Sequence, residues 1–337
     1  MGFNLTGLLG RFAPSSTPRG RWEPLGEGLE DCMLDGQIVE WQGSLLVGRF
    51  DGAPGVFRLV HGETTWRKFA KGLPKRERGG STSLRLWPDG TLTAQDFVFP
   101  DSRQVFQRPD PESPWVPATG EKARWLTTDC PSPAGILAAG FLGQRGNNGI
   151  DVLGGKTRHI DVPGEEGIDE ICLSPSQRLY LIRGGNQALM RSTPQALATD
   201  ARAEFSALPL PGDPRKNYQG LVEGPNGSVF VANAVNLAGG GPKEGRVYRL
   251  NERVSGWDDI TANLPTKGAD WRLAVGPEGT LYAWAYEIGI WRLAARQRQW
   301  HEMNAGLEGG ALVIYGLTWL RGGLAITTGD GAYIWRT

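Results

Sequence analysis

Short apolar stretches with the two-residue period of a strand recur along the whole chain, and turn residues interrupt them at regular intervals. A tight turn precedes SLLVG at Trp41-Gln42-Gly43, TLTAQ at Trp87-Pro88-Asp89-Gly90, and GILAAG at Pro131 to Ala134. The same arrangement returns at Ser174 to Gln177 before RLYLI, Gly224-Pro225-Asn226-Gly227 before SVFVA, Gly276-Pro277-Glu278-Gly279 before TLYAW, and Arg321-Gly322 before GLAIT. Proline presets φ at the second turn position and glycine accepts the positive φ that follows. Each site therefore predicts a hairpin whose second strand alternates apolar and polar residues.

Two further landmarks keep the same count. An aromatic or branched residue, followed by a short extended stretch and a Gly-Leu or Leu-Pro, stands at Trp22, Trp66, Trp115, Ile160, Phe205, Trp257 and Trp300, at spacings of 44, 49, 45, 45, 52 and 43. A closing strand follows each hairpin: GVFRL at 55–59, QVFQR at 104–108, GIDVL at 149–153, ALMRS at 188–192, RVYRL at 246–250, GIWRL at 289–293 and AYIWR at 332–336. A repeat of four strands in roughly 40 to 50 residues is the size of one propeller blade. The order begins with an unpaired outer strand at Arg21-Trp22-Glu23-Pro24-Leu25 and ends just after a third strand, so the N-terminal strand is expected to complete the C-terminal blade and close the ring.

With motifs such as GPEGTLYAW, GIWRL and GDGAYIW, the chain resembles the seven-bladed β-propellers with sialidase-like or regulator-type repeats over residues 21–337. The Asp box of sialidases, Ser-x-Asp-x-Gly-x-x-Trp, is missing from the corresponding stretches Arg58 to Trp66 and Arg292 to Trp300. The resemblance implies an all-β fold of four-stranded blades in a single domain, preceded by an extension over residues 1–20.

Glycine, at 49 of 337 residues, is about twice its ordinary usage of roughly 7%, but it follows no triplet period, and 13 tryptophans need burying. Lys+Arg at 36 balance Asp+Glu at 36, so nucleic acid is not expected as a partner. No run is long and apolar enough to span a membrane, and the start lacks a basic region ahead of an apolar core, so a cytoplasmic or virion-associated protein is expected. Cys32, Cys130 and Cys172 have no metal-ligand spacing, and neither a metal nor a cofactor is expected.

In a propeller, the connections from second to third strand and from fourth strand to the next blade crowd one face around the axis. The strand assignment puts Trp125, Asp169, Glu170, Tyr218, Asp270, Trp271 and Arg272 there as candidate ligand-binding residues. Arg124, Asp129, Arg215, Lys216, Asn217, Tyr286 and Glu287 flank them. Trp41, Trp87, Trp125 and Trp271 fall outside the repeated tryptophan positions and are candidates for exposed, stacking aromatics. Glycoside chemistry would pair Asp169 with Asp270 or Glu170 with Glu287, about 5 to 10 Å apart. In the extension, Phe3, Leu5, Leu8, Leu9 and Phe12 form an apolar set on a segment too short to fold alone, a candidate anchor for another subunit. The expected function is a non-enzymatic protein-binding or assembly module, such as a phage virion or tail subunit. The alternatives are a carbohydrate-binding propeller and a glycan-active hydrolase or lyase.

Overall fold

The computed structural model describes residues 19–337 except 31, 51–54, 75–79, 99–101, 127, 133–134, 140–148, 155–157, 165–166, 175–176, 184–187, 195–196, 198–202, 212–216 and 235–243. Among these residues the chain forms seven four-stranded antiparallel sheets and two short 3-10 turns. Blade 1 comprises Leu34–Trp41, Ser44–Arg49, Val56–Val60 and Arg67–Lys68; blade 2 comprises Gly80–Leu86, Leu92–Val98, Ser102–Arg108 and Val116–Pro117. Blade 3 comprises Thr128–Ser132, Gly135–Ala139, Gly149–Leu153 and Arg158–Asp161; blade 4 comprises Ile168–Leu173, Leu179–Arg183, Ala188–Ser192 and Phe205–Pro209. Blade 5 comprises Asn217–Glu223, Val229–Ala234, Val247–Asn251 and Gly256–Asp259; blade 6 comprises Arg272–Val275, Leu281–Ala285, Gly289–Leu293 and His301–Glu302.

Blade 7 takes Ile314–Leu320, Gly323–Thr328 and Gly331–Arg336 from the C-terminus and its outer strand, Arg21–Pro24, from the N-terminus. The register is antiparallel, with Trp22 opposite Trp335 and Pro24 opposite Tyr333. The ring is closed by hydrogen bonding between the two ends of the chain, as the order of strands predicts. The apolar set Phe3, Leu5, Leu8, Leu9 and Phe12, together with Arg215 and Lys216, lies outside the described residues.

A blade is a sheet with two faces to bury, and each face meets a neighbouring blade. The apolar residues accordingly gather into seven clusters, each shared by two adjacent blades. Leu46 and Trp41 of blade 1 meet Leu92 and Phe106 of blade 2, and Tyr180 and Leu189 of blade 4 meet Val229 and Tyr248 of blade 5. The second strands differ from their expected alternation: Gly135–Ala139, Leu179–Arg183 and Leu281–Ala285 are buried at every position. Both faces of these strands are covered by neighbouring blades, so neither is left for solvent.

The repeated tryptophan does more than fill space. Its indole N–H donates to a backbone carbonyl at or just beyond the outer strand of the preceding blade: Trp115 to Phe69 at 2.8 Å, Trp257 to Pro209 at 2.8 Å and Trp300 to Ile260 at 2.8 Å. Trp22 donates to Met303 and Trp66 to Leu25 in the same way. The Gly-Leu landmark is the other half of this joint. Gly72, at φ +99, passes so close to the next tryptophan that a Cβ would lie 2.1 Å from the Trp115 carbonyl oxygen. Gly306, at φ +89, meets Trp22 similarly, at 2.3 Å. At the joint of blades 5 and 6, Asn263 replaces the glycine, and its side-chain amide accepts from Trp300 N at 2.9 Å and donates to Trp300 O at 3.0 Å.

Trp115 is 2% exposed, so ring and N–H can be tested separately. Trp115→Phe, which keeps an aromatic ring and loses the donor, is expected to cost about 0.5–1.5 kcal/mol. Trp115→Ala is expected to cost about 3–5 kcal/mol. Urea unfolding of both variants checks this, and equal losses would contradict the ring's larger share.

Candidate functional site

First and third strands run one way and second and fourth the other. The 1–2 and 3–4 turns therefore lie on one face, called here the turn face, and the 2–3 and blade-to-blade connections lie on the other, the loop face. The innermost strands of neighbouring blades pack against one another around the axis. Polar residues of these strands and of the connections entering them carry the electrostatics of the centre.

Asp35 of blade 1 sits beside Ser81 and within electrostatic reach of Arg85 of blade 2 and Arg272 of blade 6. Burial pushes its carboxyl up, and the Ser81 hydrogen bond and the two guanidinium groups offset this only in part. Arg85 pairs with Asp129 of blade 3 at 2.5 Å, donates to Leu126 O at 3.2 Å and bonds Gln95. Arg124 pairs with Asp151 at 2.6 Å, and Asp151 also holds His159 Nδ1 at 2.7 Å.

Among the sequence-predicted residues, Glu170 joins blades 4 and 5. Its two oxygens accept from the backbone N–H groups of Gly220 and Leu221, each at 2.8 Å, at a bulge of the blade 5 inner strand. Burial raises its pKa; those bonds and the Arg272 charge oppose the rise, and Asp169 adds to it. Asp169 itself is exposed at the surface, with a carboxyl raised by partial burial. Asp270 accepts from Gln219 Nε2 at 2.6 Å, and Gln219 also donates to Trp271 O at 3.1 Å, which ties blade 5 to blade 6. Arg272 is exposed and lies within electrostatic reach of both Glu170 and Asp35, from opposite parts of the ring.

Two candidates at this face turn inward between the blades. Trp271 is 0% exposed, in the core shared by blades 5 and 6, and Tyr218 is 5% exposed, in the core shared by blades 4 and 5. Both enter an inner strand from a connection, and alternation turns their side chains between the blades. Trp41 and Trp87 are also buried rather than exposed. Trp41 donates to Gly90 O at 2.7 Å on the next blade's turn, and Trp87 bonds Thr93 Oγ1 at 3.0 Å. Trp125 alone of the four fits the expectation of an accessible ring. It is half-buried, 6.3 Å from Phe97 between ring centroids, with the Arg103 guanidinium 5.9 Å above it. Tyr286, 57% exposed, and Glu287 form the 2–3 turn of blade 6.

Sequence reasoning missed Asp35, Arg85, Gln95, Phe97 and Arg103. Phe97 and Arg103 lie just outside the stretches TLTAQ and QVFQR that mark the second and third strands, and their convergence on Trp125 carries no local signal. Of the paired carboxylates considered for glycoside chemistry, Glu170 and Asp270 are each engaged in bonds between blades. The Cys172 thiol is pushed up to about 12 by burial, which holds it in the protonated, unreactive form. No described helix is long and apolar enough to cross a membrane. Two clefts open on the turn face: one of about 800 Å³ between blades 5 and 6, and one of about 480 Å³ between blades 7 and 1.

No family model matches the chain, and no curated protein does. Solved structures match it as a seven-bladed β-propeller. A catalytically inactive variant of virginiamycin B lyase from Staphylococcus aureus, with quinupristin, has a TM-score of 0.59 at 14% identity, covering 95% of this chain and 100% of that one. YCF48 bound to D1 peptide has a TM-score of 0.62 at 8% identity, covering 95% of each chain. An ancestral GH74 enzyme has a TM-score of 0.60 at 13% identity, covering 96% of this chain and 48% of that one. A lyase, a peptide-bound protein and a glycoside hydrolase at such low identity have the fold in common with this chain, and the fold is what the likeness establishes.

Because burial raises the Asp35 pKa above its unfolded value of 3.8, its stabilising contribution is complete below that pH and is lost as pH rises through the folded value. Asp35→Asn removes this dependence. Between pH 3.8 and about 7, wild type is therefore expected to lose stability relative to the variant. Urea midpoints of the two proteins across that range test this; curves that stay parallel would contradict it.

Proposed function

We propose that the chain is a non-enzymatic, rigid binding module whose loop face receives a polypeptide partner. The observation that carries this reading is the Trp125, Phe97 and Arg103 group: a half-buried aromatic ring braced by a second ring and a cation. Tryptophan and arginine are among the residue types that anchor protein interfaces. The charged groups nearby support binding rather than bond cleavage, because Glu170, Asp270, Asp129 and Asp151 already hold blades together or brace a neighbour. YCF48, a propeller bound to a peptide, illustrates that such a frame can serve this purpose.

In this reading the chain is a subunit of a larger assembly, a virion or phage tail being the kind proposed. The apolar set Phe3, Leu5, Leu8, Leu9 and Phe12 supplies a second, independent attachment. A sugar-binding face is the second reading and rests on the same Trp125 ring, which would stack on a pyranose.

Trp125→Ala and deletion of residues 2–19 separate these readings. With folding confirmed by an unchanged unfolding midpoint, Trp125→Ala is expected to weaken a co-purifying polypeptide partner by about 2 kcal/mol or more, as an interface anchor does. The deletion is expected to release an assembly partner. Retention of every partner by both variants contradicts the proposal, and glycan-array binding that Trp125→Ala abolishes would favour the sugar-binding reading.

A further inference from the structure

We infer that the turn-face cleft between blades 5 and 6 is a second binding site, separate from the loop face, for a carboxylate with an apolar body and an adjacent N–H donor. The cleft encloses about 800 Å³, within the range of roughly 300–1,000 Å³ usual for small-molecule sites. Its apolar lining comes from Phe230 and Ile260 on one side and Leu281 and Leu293 on the other. All four are hydrophobic residues at the seam between the blades, so an apolar group entering there continues the packing of the core.

The charges around this lining are unevenly committed. Asp258 accepts from Arg249 at 3.1 Å and from Asn251 at 3.0 Å, and Asp259 pairs with Arg246 at 2.7 Å and accepts from Thr261 N at 2.9 Å. Arg296 and Arg298, on the 3–4 turn of blade 6, line the same cleft and have no ion pair among the described residues. Between them, Gln297 places its Oε1 in a buried position with no hydrogen-bond partner. Two guanidinium groups suit a carboxylate, and an unpartnered carbonyl oxygen between them suits a donor one or two bonds away. Glu278, on the 1–2 turn of the same blade, also lines the cleft, and its negative charge opposes a second anionic group on the ligand.

The backbone supports the same reading. Arg296 has φ +67 and Ala262 has φ +43, and both line this cleft. Glycine adopts such a conformation at less cost, so an arginine held there is kept against the local preference. The carboxylate, amide N–H and apolar side chain required are those of an N-acyl amino acid, whether it arrives as a free small molecule or as the C-terminus of a polypeptide.

The full chain is titrated calorimetrically with N-acetyl-phenylalanine and with a pentapeptide ending in phenylalanine with a free carboxylate, each beside its C-terminal amide. Binding of the free acid at least tenfold tighter than its amide is expected, and the small molecule and the peptide distinguish the two sources. Arg298→Ala, alone and with Arg296→Gly, is expected to remove the preference for acid, and Glu278→Gln to tighten binding of the acid. Thermal unfolding provides the control: Arg296→Gly is expected to leave the midpoint unchanged or higher while weakening binding, which a purely structural arginine would not do. Acid and amide binding alike, an unchanged preference in the double variant, or no binding of either acid with Kd below about 1 mM overturns the inference.

Discussion

The joint between neighbouring blades is the contact on which everything else in this molecule depends. A four-stranded sheet of this length cannot bury its two faces alone, and each blade obtains cover only from the blades on either side. The indole of Trp22, Trp66, Trp115, Trp257 or Trp300 marks the outer edge of that joint, donating to the preceding blade, while Gly72 or Gly306 permits the close approach. Blades 3 and 4 carry Ile160 and Phe205 at the same place, so those two joints keep the packing and forgo the indole bond. Because the first and last strands share blade 7, no joint in the ring lacks a partner.

The polar residues near the axis obey the same constraint. Glu170 caps two backbone N–H groups of the next blade, and Gln219 links Asp270 and Trp271 of the blade after that. Arg85 spans from blade 2 to Asp129 of blade 3. A carboxylate or amide engaged across a joint is held by two sheets at once, which leaves other groups that the joints do not consume. On the loop face these include Trp125 with Arg103 and the turn at Tyr286; on the turn face they include Arg296 and Arg298.

The repeat made the fold legible in the sequence, because a strand, a Pro-Gly or Gly-rich turn, a second strand and a spaced tryptophan are all local signals. It also assigned the candidate residues to the connections that lead into the inner strands. It did not tell which way each side chain turns. Trp125 and Trp271 stand at equivalent entries to inner strands, yet one ring is half-exposed beside Phe97 and the other is wholly buried between blades 5 and 6. Trp41 and Trp87 look like exposed turn residues until the next blade is in place to cover them. The Tyr218 ring is covered in the same way, at the joint with blade 4.

The amino-acid sequence by itself determined the number of blades, the four strands in each, and the closure of the ring by the N-terminal strand. These follow from periodicity, turn chemistry and spacing, which are properties of neighbouring residues along the chain. The tertiary structure alone decided which aromatic rings remain accessible, which carboxylates are held across joints, and where Arg296 and Arg298 meet an apolar cleft. Those outcomes rest on contacts between blades about 45 residues apart, where the pairing of faces and not the local pattern sets each side chain's surroundings.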